Sequence, residues 1–178
     1  MKLKAGFSSF PSLHADWIVI QSASRETTLP ERKPHMVECQ FPEKNADDPE
    51  VLNILRDSKT IAVIGISHKE ERDSHKVARY LKEHGYRMIP VNPKYKEVLG
   101  EPCYPDLRSV PEHIDVVDIF RNIEAIPGIV DEAIEVRAGS VWMQLGLAHN
   151  EAADKARAAG LSVVMNKCIK IEHHRLCK

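Results

Sequence analysis

The stretch Thr60-Ile61-Ala62-Val63-Ile64-Gly65-Ile66-Ser67 decides the architecture. Thr60 to Ile66 is β-branched and almost wholly apolar without polar alternation, which is the composition of a strand buried on both faces. Beyond a polar loop, Ser74 to His84 places Val77, Tyr80 and Leu81 at the i, i+3, i+4 spacing of one helix face, and Gly85 stands where a C-cap glycine ends a helix. Arg87 to Val91 reads as a second strand, stopped by Asn92-Pro93. Strand, helix and strand within about thirty residues is the repeating unit of a parallel sheet covered by helices.

The same alternation continues downstream. Ile114 to Phe120 reads as a third strand, Ile126 to Arg137 as a helix closed by Gly139, and Ser140 to Leu145 as a fourth strand. Asn150 to Ala159 is a helix with Asn150 as its N-cap and Gly160 at its end, and Leu161 to Met165 is a fifth strand. Lys170 to Lys178 reads as a short polar terminal segment. Five such strands joined by right-handed crossovers predict an α/β fold, a Rossmann-like three-layer sandwich with a five-stranded parallel sheet. The expected strand order, 3-2-1-4-5, comes by analogy with doubly wound folds, because hydrophobic strands specify no order by themselves.

Residues 1–36 hold isolated hydrophobics without a sustained period and are read as an extension, disordered or upstream of the true start, with Met36 a plausible initiator. Residues 37–58 form an acidic lead ending in a short helix, Pro49 to Arg56, with Asp48 as a candidate N-cap and Pro49 at a favourable first position. Residues 59–178 form the sheet domain. Across all 178 residues the formal net charge is -1, far from the basic footprint of a nucleic-acid binder. No apolar run approaches the roughly 18 to 20 residues of a membrane span. Cys39, Cys103, Cys168 and Cys177 lie far apart with no Cys-x-x-Cys spacing, which argues against a zinc ribbon, a thioredoxin-type site or a secreted scaffold, and a cytoplasmic location is expected. His173 and His174 point to opposite sides of an extended tail, so no metal site is assigned.

Open parallel sheets bind ligands beyond the carboxyl ends of their strands, so the five strand ends carry the functional reading. At the first, Gly65 permits close backbone approach, Ser67 offers a hydroxyl, Arg72 and Lys76 offer charge, and the helix starting near Ser74 points unpaired N–H groups at the same space. That set suits a phosphate, although one glycine replaces the three of the dinucleotide fingerprint, and a solvated loop of mixed charge is the alternative. The second strand end, Asn92-Pro93-Lys94, lacks the acid that an NAD-binding domain aims at the ribose; Lys94 and Lys96 suit an additional phosphate, as in NADP or coenzyme A. At the third, Phe120 is a candidate wall for adenine or plain core, and Arg121 can stack or pair with phosphate. Met143-Gln144-Leu145-Gly146 brings an amide and a glycine to the crevice, and Asn166-Lys167-Cys168 supplies polar anchors. Cys168 has no histidine fixed near it by spacing and is read as inert, and Asp115 and Asp118 receive no acid or base role. No catalytic set emerges.

Beyond those strand ends, Val77-Ala78-Arg79-Tyr80-Leu81, Gly85-Tyr86-Arg87-Met88-Ile89-Pro90-Val91-Asn92-Pro93, Leu99-Gly100-Glu101, Asp115-Val116-Val117-Asp118, Val141-Trp142-Met143-Gln144-Leu145-Gly146 and Asn166-Lys167-Cys168-Ile169-Lys170-Ile171-Glu172-His173 follow Thr60 to Ser67 in an order and spacing that are specific together. Through them the run from Lys59 to Leu176 resembles the CoA-binding domain family and is similar to the amino-terminal domain of the succinyl-CoA ligase alpha subunit. The resemblance implies that the turn from Gly65 to Ser67, with the helix after Ser74, holds the CoA pyrophosphate, and that Lys94 matches a nucleotide-contacting lysine of the ligases. It further implies that Met143, Gln144 and Leu145 match a CoA-contacting stretch, with Phe120 and Arg121 bordering the adenine end. The ligases carry their phosphorylated catalytic histidine on a second domain, so ligase activity is not carried over. The expectation is a protein that binds coenzyme A or a short acyl-CoA without a metal and without catalysis of its own. The alternatives are an NADP-type oxidoreductase and a regulatory module that meets an unidentified protein partner or a second copy of itself.

Overall fold

The structure is a computed structural model and describes residues 41–177; the expectations for residues 1–36, for Met36 as a start and for Cys39 fall outside the described residues. Five parallel strands form the main sheet: β1 (Thr60–Ile64), β2 (Arg87–Val91), β5 (Val116–Ile119), β6 (Ser140–Met143) and β7 (Ser162–Val164). Between β2 and β5, β3 (Glu97–Val98) and β4 (Glu101–Pro102) make a short antiparallel hairpin. The helices are α1 (Asp48–Asp57), α2 (Asp73–Glu83), α3 (Ile126–Glu135), α4 (Asn150–Ala158) and α5 (Ile169–Leu176), with one 3-10 turn, Ile123–Ala125, leading into α3. The Rossmann-like α/β class expected from the alternation is the one observed.

The strand order is not the expected one. The sheet runs β2-β1-β5-β6-β7, which is 2-1-3-4-5 when only its five strands are counted, in place of 3-2-1-4-5. Ile61 pairs with Val116 and Ala62 with Val117, so the third strand lies against the first and the second strand is an edge. Pro90 gives the physical reason. Its carbonyl accepts from the Tyr104 N–H at 3.0 Å, on the side of β2 away from β1. The main-chain nitrogen and oxygen of a strand residue point to the same side, so the N–H that Pro90 lacks would have faced that outer edge. With β2 inside the sheet, the same proline would delete a ladder bond, and central strands exclude it for that reason. The outer edge is closed instead by Tyr104, which bridges to Val91 and accepts from the Asn92 N–H at 2.8 Å.

Strand alternation divides the core into two layers. Ile61, Val63, Val116, Trp142 and Val164 face α1, α2 and α5, whereas Ala62, Ile64, Val117, Val141 and Met143 face α3 and α4. Trp142 is fully buried, and its indole N–H donates to the Lys167 carbonyl at 2.7 Å, so its polar edge is satisfied inside the core.

Three local expectations change. Asp47, not Asp48, caps α1, accepting from the Glu50 N–H at 2.9 Å. His149, not Asn150, caps α4, with Nδ1 accepting from the Ala152 N–H at 3.2 Å, while the Asn150 amide bonds backward to Phe41 and Glu43. The expected polar tail is the helix α5, held by Ile169 in the core and by His173, whose Nδ1 lies 3.0 Å from the Tyr80 hydroxyl and whose ring meets that of Tyr86 at 5.5 Å. No helix among the described residues is long and apolar enough to cross a membrane.

Candidate functional site

In this order the chain changes direction between β1 and β5. The connection from β1 to β2 runs through α2 on one face, and the connection from β5 to β6 runs through α3 on the other, so a crevice opens at the carboxyl ends of β1 and β5. Gly65 sits at its centre with φ +80°, and its N–H donates to the Val91 carbonyl at 2.9 Å. A Cβ there would collide with the Phe120 carbonyl oxygen and stand 2.7 Å from Cδ of Arg121. Glycine is therefore required twice, for the left-handed backbone and for the contact between the two strand ends.

Two clefts meet at this contact. The larger, of about 570 Å³, lies on the α2 and α5 side, between Arg72, Ser74 and Val77 of the loop and helix α2, Phe120 after β5, Gln144 and Leu145 after β6, and Cys168 and Ile171 at the start of α5. The smaller, of about 230 Å³, lies on the α3 side against Gly65, Asn92, Pro93, Asp106, Arg121 and Glu132. Phe120 thus borders one cleft and Arg121 the other. Among the described residues, Leu145 and Ile171 are two of the few large hydrophobics left exposed, at 66% and 56%, and both stand on the larger cleft.

The loop after Gly65 is fixed from within. Nδ2 of Asn92 donates to the Ile66 carbonyl at 2.8 Å, the Ser67 N–H donates to Oγ of Ser74 at 3.1 Å, and Nδ1 of His75 lies 2.9 Å from the Ser67 carbonyl. The side chains of Ser74 and Asn92 accordingly shape the loop. The Ser67 hydroxyl likewise accepts from the Lys69 N–H at 3.2 Å. Arg72, the N-cap residue of α2, makes no side-chain cap bond; its carbonyl takes the N–H groups of His75 and Lys76 at 3.0 and 3.1 Å, so those of Asp73 and Ser74 are left for the cleft. Asp73 in that turn opposes an anion, and Lys76, 3.9 Å from it, offsets part of the charge. Arg72 and Arg121 form no ion pair among the described residues.

Other predicted residues stand elsewhere. Lys94 is exposed and borders neither cleft, and its backbone N–H donates to Oδ1 of Asn92 at 3.0 Å. Nζ of Lys167 turns to the Ala46 carbonyl at 3.3 Å and lies 4.0 Å from Asp48, toward α1. The Met143 side chain enters the α3 and α4 core, and Gly146 forms a turn with φ +84° whose N–H donates to Oδ1 of Asn166 at 2.7 Å.

One polar residue of this region had no role in the sequence reading. Asp118 on β5 is fully buried between Val63 and Trp142. Its Oδ1 accepts from Nε2 of Gln144 at 2.7 Å, and its Oδ2 has no partner among the described residues. Burial pushes its carboxyl up to about 7, against the weaker opposite effect of the Gln144 bond. The signal in the sequence was an acid in the middle of an otherwise apolar strand, on the same face as Val116.

The model of the CoA binding domain family matches residues 59–174. The chain is 38% identical over 130 residues to the uncharacterized protein YneT of Bacillus subtilis, an alignment covering 73% of this chain and 96% of that protein. A solved structure of a hypothetical protein from Pyrococcus horikoshii shares 43% identity with a TM-score of 0.74, covering 78% of this chain and 98% of that one. A segment of 74 residues is 36% identical to the ADP-forming acetate-CoA ligase I of Archaeoglobus fulgidus, which is 42% of this chain but 11% of the ligase. Since the family match runs from the residue before β1 into α5 and takes in every strand of the sheet, the chain belongs to the CoA-binding domain family.

Proposed function

We propose that this chain binds coenzyme A or a short acyl-CoA across the carboxyl edge of its sheet and carries out no ligase chemistry itself. The observation that carries the reading is the uncapped start of α2, which opens onto a cleft of about 570 Å³ walled by Phe120, Leu145 and Ile171. Helix N–H donors with Arg72 suit the pyrophosphate, and the apolar walls suit the adenine or the pantetheine arm. Arg121, at the mouth of the second cleft, supplies a further cation within the same edge. Family membership supports CoA as the ligand. The ligase relative leaves most of its own length unmatched, and its activity does not transfer with the shared segment.

Among nucleotides of this size, NADPH is the comparator, because β2 ends in Asn92 and Lys94 with no ribose-binding acid. Calorimetric titration of the full chain with CoA, acetyl-CoA, NADH and NADPH tests the reading. Binding of CoA at least tenfold tighter than either dinucleotide is expected; preference for a dinucleotide would overturn it.

A further inference from the structure

Asp118 and Gln144 form a pair whose geometry goes beyond a general nucleotide cleft. Gln144 borders the larger cleft, and one N–H of its amide is taken by Oδ1 of Asp118 at 2.7 Å. Its Oε1 has no partner among the described residues and is left for the cleft. In its ionised form, the form the test at pH 8 addresses, the carboxylate only accepts hydrogen bonds, so Asp118 holds the nitrogen of the Gln144 amide inward and the oxygen outward. The second oxygen, Oδ2, is buried without a partner. A native interior seldom keeps such a group, and packing does not require it here, since asparagine has nearly the same shape.

Asparagine would not do the same work. It presents a donor and an acceptor, and orphaning its oxygen costs less than orphaning its N–H, so it would turn its nitrogen toward Gln144 and reverse that amide. The geometry points to Asp118 as a positioning residue that fixes the carbonyl oxygen of Gln144 toward the cleft, making this wall selective for an N–H donor on the ligand. This rests on the CoA reading and deepens it. CoA offers such a donor in two places, the adenine amino group and the pantetheine amides, and the chemistry at Gln144 is the same for both.

The test is a double-mutant cycle on the full chain at pH 8, with D118N, Q144M and the double variant titrated by calorimetry after circular dichroism has checked their fold. The probes are CoA, adenosine 3′,5′-bisphosphate and its hypoxanthine counterpart, in which a carbonyl replaces the amino group. D118N and Q144M are each expected to weaken CoA about tenfold, and the double variant no more than Q144M alone, because Asp118 acts through Gln144. If adenine supplies the donor, adenosine bisphosphate shows the same loss, and D118N reverses the preference between it and the hypoxanthine form. If a pantetheine amide supplies it, the loss is confined to CoA. Unchanged CoA affinity in D118N or Q144M, or strictly additive losses, would overturn the assignment while leaving CoA binding intact. A wild type that fails to bind CoA would overturn the reading beneath it as well. Should D118N not fold, the loss required of Q144M keeps the assignment open to refutation.

Discussion

The two ends of β5 carry the same residue type in opposite circumstances. At the amino end, Oδ2 of Asp115 accepts from the Lys59 and Thr60 N–H groups, both at 2.8 Å, and its carbonyl accepts from the Ser140 hydroxyl at 3.0 Å. At the carboxyl end, Asp118 has one partner and one orphaned oxygen. Glycines flank both ends. A Cβ on Gly139 would stand 2.8 Å from the Asp115 carbonyl oxygen, and one on Gly65 would meet that of Phe120. The amino end closes its polar groups on one another and contributes stability, whereas the carboxyl end leaves hydrogen-bonding capacity unmet beside the candidate site. Strain and unsatisfied groups concentrate where function is, and this strand holds both conditions within a few residues.

The largest effect expected from breaking this contrast is on pH dependence. The carboxyl of Asp118 is raised from 3.8 to about 7 in the folded protein, so the fold holds its proton more tightly than the unfolded chain does. That stabilisation is complete below pH about 4 and disappears as pH rises through about 7, a loss of up to about 4 kcal/mol. Melting temperatures of wild type and Asp118→Asn measured from pH 4 to 9 should therefore diverge with rising pH, the variant becoming the more stable; parallel curves would refute the buried, unpaired carboxyl.

Next in size is Gly65→Ala, expected to cost about 3 kcal/mol through the positive φ and the collision with Phe120, and to weaken CoA as well. Denaturant unfolding and titration measure the two effects separately. Asp115→Ala, at the other end of the strand, should cost about 1.5 kcal/mol by orphaning two backbone donors while leaving CoA affinity within about twofold. A large change in affinity there would blur the division of labour. The smallest effects concern single cations: Arg72→Ala and Arg121→Ala should each weaken CoA about tenfold with little change in stability. Lys167→Ala should change affinity less than about twofold, since its ammonium group faces the Ala46 carbonyl.

The layers of this fold were legible because period and composition agree over β1, α2, β2, β6 and α4. The order of the strands was not read, although Pro90 carried it: a proline in the middle of a strand already marks an edge. Helix α5 escaped because His173 fills an apolar position between Ile169 and Leu176, so the helical repeat is masked by a residue that reads as polar. At the strand ends where the sequence reading looked, Arg72, Phe120, Gln144 and Leu145 line the larger cleft and Gly65 and Arg121 the smaller. Ser74 and Asn92 are there too, with their side chains turned to the loop, because a sequence gives residue type but not which internal donor will engage it. Lys167 illustrates the same limit: its backbone is fixed by Trp142, and that sends the side chain toward α1.

The most direct measurement of the central claim is the set of backbone amide NMR shifts on titrating CoA into the full chain. The account predicts the largest changes at Gly65, Ser67, Asp73, Ser74 and Leu145, and none at Lys59, Thr60, Asp115 or Gly139. Changes centred on the amino edge, or none at either edge at saturating CoA, would contradict it.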